Sequence, residues 1–218
     1  MFLGHFGVAF AAKRVAPRPS LGTAVLAVQW ADLIWPLFVL LGIEHVAIRP
    51  GITVVTPLEF VSYPYSHSLV ADAIWAALFA GTYGTIRKDW RGAAWLAALV
   101  LSHWVLDAVS HRPDMPTWPG GPLVGAGLWH SLPATLIVEF ALLAAGIALY
   151  VRATRARDML GGILLWTFAI TLAVLYLGAV FGPPPPGVRA LAATGLAGWL
   201  FVAWAYWIDR HRTLAAAA

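Results

Sequence analysis

His103, Asp107 and His111 recur at every fourth position at the end of an apolar run. Asp32, His67 and His130 lie in or beside other apolar runs, and His5 sits near the start of the chain. A carboxylate or an imidazole in hydrocarbon is costly, so it faces a cavity, a partner or a metal. The i,i+4 spacing puts His103 and Asp107 on one helix face. That suits two ligands of a single ion, as in helical His-x-x-x-His pairs. His111 continues the stripe about 12 Å further along the axis from His103, beyond the span of one ion. If all three bind metal, Asp107 must bridge two ions. The competing reading is a hydrogen-bonded pair that ties two helices together.

Each remaining candidate has a chemical reading and a plain one. Asp32 has no opposite charge near it in sequence, so it needs a tertiary partner, a metal or a proton-handling role. His67, in Tyr65-Ser66-His67-Ser68, is a ligand or part of a helix start. His130, in Trp129-His130-Ser131, is a ligand or an interfacial side chain. Glu139, in the middle of an apolar run, is a hydrogen-bond acceptor behind the site or a base. Asp72, five residues past His67, is similar. Arg112 can grip a phosphate bidentately or pair locally with Asp114. There is no cysteine, which removes both disulfides and thiolate ligands. A His/Asp set suits Zn²⁺, with Mn²⁺ or Fe²⁺ as alternatives. Such an ion supports hydrolysis of an ester or phosphoester.

These residues must be positioned by membrane helices. The 218-residue chain is 61% hydrophobic and 11% charged, with mean hydropathy +0.77. Soluble domains carry about 25% charged residues, so this composition cannot cover a water-facing surface. A span needs about 20 mainly apolar residues. Residues 19–42, 66–86, 92–110, 128–151, 159–181 and 190–208 qualify. Residues 1–12 are short for a span and form a candidate seventh. The expected fold is an all-α, polytopic transmembrane helix bundle in one integral membrane domain, residues 1–218. Residues 1–151 would carry the metal site, and 152–218 two further spans and a cytoplasmic tail. Eleven basic residues fall in alternate loops: Lys13, Arg14, Arg18; Arg87, Lys88, Arg91; Arg152, Arg155, Arg157; Arg210 and Arg212. The opposite loops hold only Arg49, Arg112 and Arg189. The positive-inside rule then puts the first set, and the C-terminus, in the cytoplasm. Asp32, His67, His103, Asp107, His111 and His130 all fall toward the outer side, as does His5 if its helix runs inward to Lys13. The Pro/Gly-rich connections 43–65 and 112–127 could cap a site there. The scattered basic residues give no nucleic-acid signal, and the expected partner is membrane lipid.

The residues Gly4-His5-Phe6, Asp32 in the first long span, Ser66-His67-Ser68, Ser102-His103 and Leu106-Asp107 carry a resemblance. Over residues 1–151 the chain resembles the predicted bacterial inner-membrane metal-dependent hydrolases, whose ligand pattern is similar to that of zinc-dependent phospholipases C. The resemblance implies His5, Asp32, His67, His103 and Asp107 as metal ligands, with His111 and His130 as further candidates. It also implies a bacterial inner-membrane location. The chain departs from that pattern in two places. Gln29 and Asp32 stand where an Asp-x-Asp is common, and Ser62 stands where a histidine precedes the second motif.

Three functions compete. The first is an outward-facing metal-dependent hydrolase of a lipid or phosphoester, with Asp32 or Glu139 handling protons and Arg112 steering phosphate. The second is a small transporter or channel with a proton or metal relay; the dry inner halves of the spans and the lack of a repeat speak against it. The third is a non-catalytic subunit in which the polar residues join helices and no metal binds.

Overall fold

The computed structural model describes residues 1–215. The chain begins with α1 (Leu3–Val15), followed by α2 (Leu21–Val28) and α3 (Trp30–Leu40). A hairpin of β1 (His45–Ile48) and β2 (Leu58–Ser62) leads to the single turn α4 (Pro64–His67). The long helices α5 (Leu69–Arg87) and α6 (Trp90–Ser110) come next. A two-residue ladder, β3 (Met115–Pro116) with β4 (Leu123–Val124), and a 3-10 turn (Leu128–His130) precede α7 (Leu132–Ala153). The strand β5 (Thr154–Ala156), α8 (Met159–Phe181), α9 (Val188–Gly195), α10 (Gly198–Arg210) and β6 (Arg212–Leu214) complete the order.

Among the described residues, five helical stretches are long and apolar enough to cross a membrane: α5, α6, α7, α8 and the continuous stretch Val188–Arg210. The pair α2 and α3 adds a sixth if it is one span, but it bends by 51° at Gln29. The unbroken helix expected over 19–42 is therefore broken in its middle. The break leaves the end of α2 with carbonyls that lack intrahelical partners, and one of these serves the site below. The Pro/Gly-rich connections at 43–65 and 112–127 carry the two ladders. Trp35, Val46, Tyr63 and Met115 form a small apolar cluster beneath them. This second core fixes the loops over one end of the bundle.

At 13 residues, α1 is about 20 Å long, well short of the roughly 30 Å of hydrocarbon in a bilayer. It runs alongside α7 in the same direction, with Leu3, Phe6, Ala9 and Phe10 buried in the main core. The two backbones meet at Gly7 and Gly146. A Cβ on Gly146 would collide with the Gly7 carbonyl, and one on Gly7 with that of Leu142. Small residues allow this kind of close approach between membrane helices.

The mid-span carboxylate of Glu139 belongs to this packing. Its Oε1 accepts the Phe2 N–H and its Oε2 the Gly4 N–H, both at 2.8 Å. It thus caps a helix that starts inside the bundle. The anion also meets the positive end of the helix dipole. A role for Glu139 as a base gives way to this one, because both oxygens are engaged in holding α1. Each bond to a charged acceptor contributes about 1.5–3 kcal/mol. Glu139→Ala is expected to lower stability by about 3 kcal/mol, read by thermal or denaturant unfolding in detergent, and Glu139→Gln by less. An alanine variant as stable as the parent would contradict the capping account.

The segment after α10 is pinned at the opposite side of the bundle. β6 pairs with β5, and the buried Arg212 donates to Thr154 Oγ1 (3.0 Å) and to the Gly161 carbonyl (3.0 Å). His211 donates to Asp158 Oδ2 at 2.8 Å, and this bond holds the Asp158 carboxyl below its ordinary range. The expected tail is thus a strand as far as Leu214. The Ala215–Ala218 run lies outside the described residues beyond Ala215.

Candidate metal centre

Five of the seven expected ligands converge. His5, His103 and Asp107 form one group, and Asp32, His67 and His103 a second; within each, one donor atom per residue lies within 4.8 Å of the others. Four elements supply them. His5 comes from the first turn of α1, Asp32 from the start of α3 just past the bend, and His67 from the end of α4. His103 and Asp107 come from successive turns of α6.

Asp107 is the hub. Its Oδ1 accepts from His5 Nε2 at 3.0 Å and pairs with the amino group of Met1. Its Oδ2 stands 3.2 Å from His103 Nε2, and 3.9 Å from both His67 Nε2 and His111 Nε2. Asp32 Oδ1 lies 3.4 Å from His67 Nε2 and 3.8 Å from His103 Nε2. The His5 and His103 rings stack with centroids 4.0 Å apart. The side chains of His5, His67, His103 and Asp107 are at most 4% exposed, whereas that of Asp32 is 37% exposed. The cluster therefore opens at Asp32.

Three histidines are oriented from behind. His103 Nδ1 donates to the Val28 carbonyl at 2.7 Å, at the end of α2. His67 Nδ1 donates to Ser66 Oγ at 2.7 Å, and Ser66 Oγ donates to Glu44 Oε2 at 2.6 Å. Glu44 Oε1 also takes the N–H groups of Tyr65 (2.8 Å) and Ser66 (2.9 Å). His111 Nδ1 donates to Asp114 Oδ1 at 3.0 Å. With Nδ1 protonated in each, the Nε2 lone pair faces the cluster. This is how metal-binding histidines are usually held. His103 Nε2 is buried and makes no hydrogen bond, and neither does His5 Nδ1. Buried nitrogens of this kind are otherwise nearly always satisfied. An orphaned, inward-facing nitrogen between two carboxylates fits a cation.

The other expected residues stand apart to different degrees. His111 is adjacent, at the end of α6, beneath Trp129 with ring centroids 4.2 Å apart. Tyr63 donates to the Asp114 carbonyl at 3.0 Å, and burial pushes its phenol well above the ordinary range. His130 is not brought in. Its ring is exposed in the 3-10 turn that follows Gly127, which takes φ 76°. Arg112 is engaged locally, donating from Nε to Asp114 Oδ2 at 2.9 Å and standing 3.8 Å from Glu59. This local pairing is one of the two roles its sequence position offers. Asp72 is fully buried in the first turn of α5 with neither oxygen hydrogen-bonded. Glu44 and the Val28 carbonyl were not visible as site groups in the sequence. Glu44 is one acid in an apolar connection, and its role depends on the chain reversal at Gly42, where φ is 71°.

No family model, curated protein or solved structure matches this chain.

Proposed function

We propose that this chain is a membrane-embedded metal-dependent hydrolase that acts on a lipid or other phosphoester. The observation that carries this reading is the double layer of the site. Five buried or half-buried His and Asp side chains converge, and the inward nitrogens of His67 and His103 are each fixed by an outward hydrogen bond. Helix glue requires only satisfied pairs; here His103 Nε2 is left without one. His5, His67, His103, Asp32 and Asp107 would hold the ion, with zinc favoured by the ligand set and manganese or iron as alternatives. When bound, the ion would supply Lewis acidity to an ester or phosphoester and make a water more acidic. Asp32, the exposed member, is the residue a substrate meets first. Its carboxylate would accept a proton from an attacking water. Asp107 neutralises charge at the buried side and aligns His5 and His103.

The basic end of the bundle is assigned to the cytoplasm of a bacterial inner membrane, which turns the cluster outward. The native chain lacks cysteine, so single-cysteine labelling is clean. In intact cells Trp118→Cys should react with an impermeant thiol reagent and Arg155→Cys should not; the reverse pattern would invert the topology.

The activity is tested on the full chain reconstituted in vesicles, with bis(p-nitrophenyl) phosphate and a p-nitrophenyl ester as probes. Zinc-dependent turnover of at least one probe is expected, abolished by chelation and by Asp32→Ala. A protein that retains its metal yet turns over neither probe, nor the vesicle phospholipid, would refute the hydrolase reading.

A further inference from the structure

A groove of about 700 Å³ lies between α2 and α5, with Tyr206 of α10 along one side. It is distinct from the His/Asp cluster and shares no residue with it. Both α2 and α5 pack against α6, which leaves the cleft between them open to the bundle's surface. Its composition changes from one end to the other. At the basic end stand Arg18 and Arg87, with the hydroxyls of Ser20, Thr23 and Tyr206 joined in a chain: Ser20 to Thr23 at 2.7 Å and Thr23 to Tyr206 at 3.0 Å. Further in, the walls are Leu26, Leu78 and Phe79. Trp30 and Trp75 close the far end with ring centroids 5.6 Å apart. Trp75 is fixed there by donating Nε1 to the Tyr65 carbonyl at 2.9 Å.

We infer that this groove binds one acyl chain of an anionic glycerophospholipid, with the headgroup phosphate at Arg18 and Arg87. Length supports the apolar part. From Trp75 to Arg87 the helix rises about 18 Å, close to the roughly 15 Å hydrocarbon depth of one leaflet. The volume is that of a small-molecule site. Charge supports the headgroup. Arg87 forms no ion pair among the described residues. Arg18 meets Asp89 at 3.3 Å but its side chain is still 78% exposed. The same Asp89 oxygen also accepts the Gly92 N–H at the start of α6, so Arg18 shares it. The groove also has a built wall. Gly22 lies against the Tyr206 ring, where a Cβ would collide with it, so Tyr206 can reach the Thr23 hydroxyl only because position 22 has no side chain. Basic side chains at a membrane surface favour anionic lipid by about fivefold each. The bound lipid would tie α5 to α2, the helix whose end holds His103 through Val28.

The test uses the full chain in neutral detergent, offered equal amounts of phosphatidylglycerol and phosphatidylcholine with matched acyl chains, and read by native mass spectrometry. One retained phospholipid per chain is expected, with phosphatidylglycerol preferred roughly tenfold or more. In Arg18→Gln/Arg87→Gln the preference should fall to near unity while a lipid is still held. Leu78→Trp, which fills the groove, should lose both lipids. Equal retention of the two lipids by the native chain would overturn the proposal, and that result needs no variant to fold. So would undiminished retention in Leu78→Trp. Metal content is expected to be unchanged throughout, so the result is independent of the hydrolase reading.

Discussion

Asp107→Asn is expected to empty the site of metal while the bundle stays folded. The carboxylate has one oxygen turned to His5 and the other to His103, with His67 and His111 within 4 Å. A divalent cation among neutral imidazoles depends on carboxylate charge, and the amide has the shape of the acid without it. Asp32 alone would be left to balance the ion, and it stands at the open edge. The loss in affinity should exceed the 10–100-fold typical of substitutions behind a metal site. As helix glue, by contrast, Asn still hydrogen-bonds, and the exchange costs about 1 kcal/mol. Metal titration of parent and variant separates the two. Equal affinity would remove Asp107 from the ligand set.

The second large effect is expected one layer back. Glu44 accepts three hydrogen bonds, from Tyr65 N, Ser66 N and Ser66 Oγ. Through Ser66 it fixes the proton of His67 on Nδ1. Glu44→Gln replaces one acceptor oxygen with an NH₂ that must face a donor. The turn at residues 64–67 then loses its reference point, and the His67 ring can rotate or change tautomer. Metal affinity should fall about 10–100-fold, without any change to a ligand. Ser66→Ala should produce part of the same loss. The readout is a competitive zinc titration against a chelator of known affinity, with thermal unfolding of the metal-free proteins alongside. Native affinity in Glu44→Gln would show that the Glu44–Ser66–His67 chain does not tune the site.

Much of this arrangement can be read from the sequence, for identifiable reasons. Apolar runs of span length are a strong signal, and the expected 92–110 and 159–181 fall within two residues of α6 and α8. The His103/Asp107 pair is legible because helical spacing alone fixes a shared face. The bend at Gln29 is not, since no proline or glycine marks it; Pro36 lies further on, inside α3. Glu139 is legible only in part: a hydrogen-bond acceptor is one of the two roles its position suggests. A lone carboxylate in a span suggests chemistry, but its partners are backbone N–H groups of a helix more than 130 residues away. His130 fails differently: its depth in the sequence is right, but the turn at Gly127 leaves its ring outside. Depth along a span can be counted; the direction of a ring in a loop cannot. Glu44 required knowledge of a chain reversal and of a contact 22 residues ahead.

The most direct measurement of the central claim is the metal content of the purified full chain, by elemental analysis in detergent, before and after incubation with Zn²⁺ and removal of the excess. The His/Asp cluster as a metal centre predicts at least one tightly held divalent ion per chain, lost in His103→Ala and in Asp107→Asn while both variants keep their helical content. No retained metal in the native chain, even after zinc is supplied, would contradict it and leave the cluster as a hydrogen-bonded junction between helices.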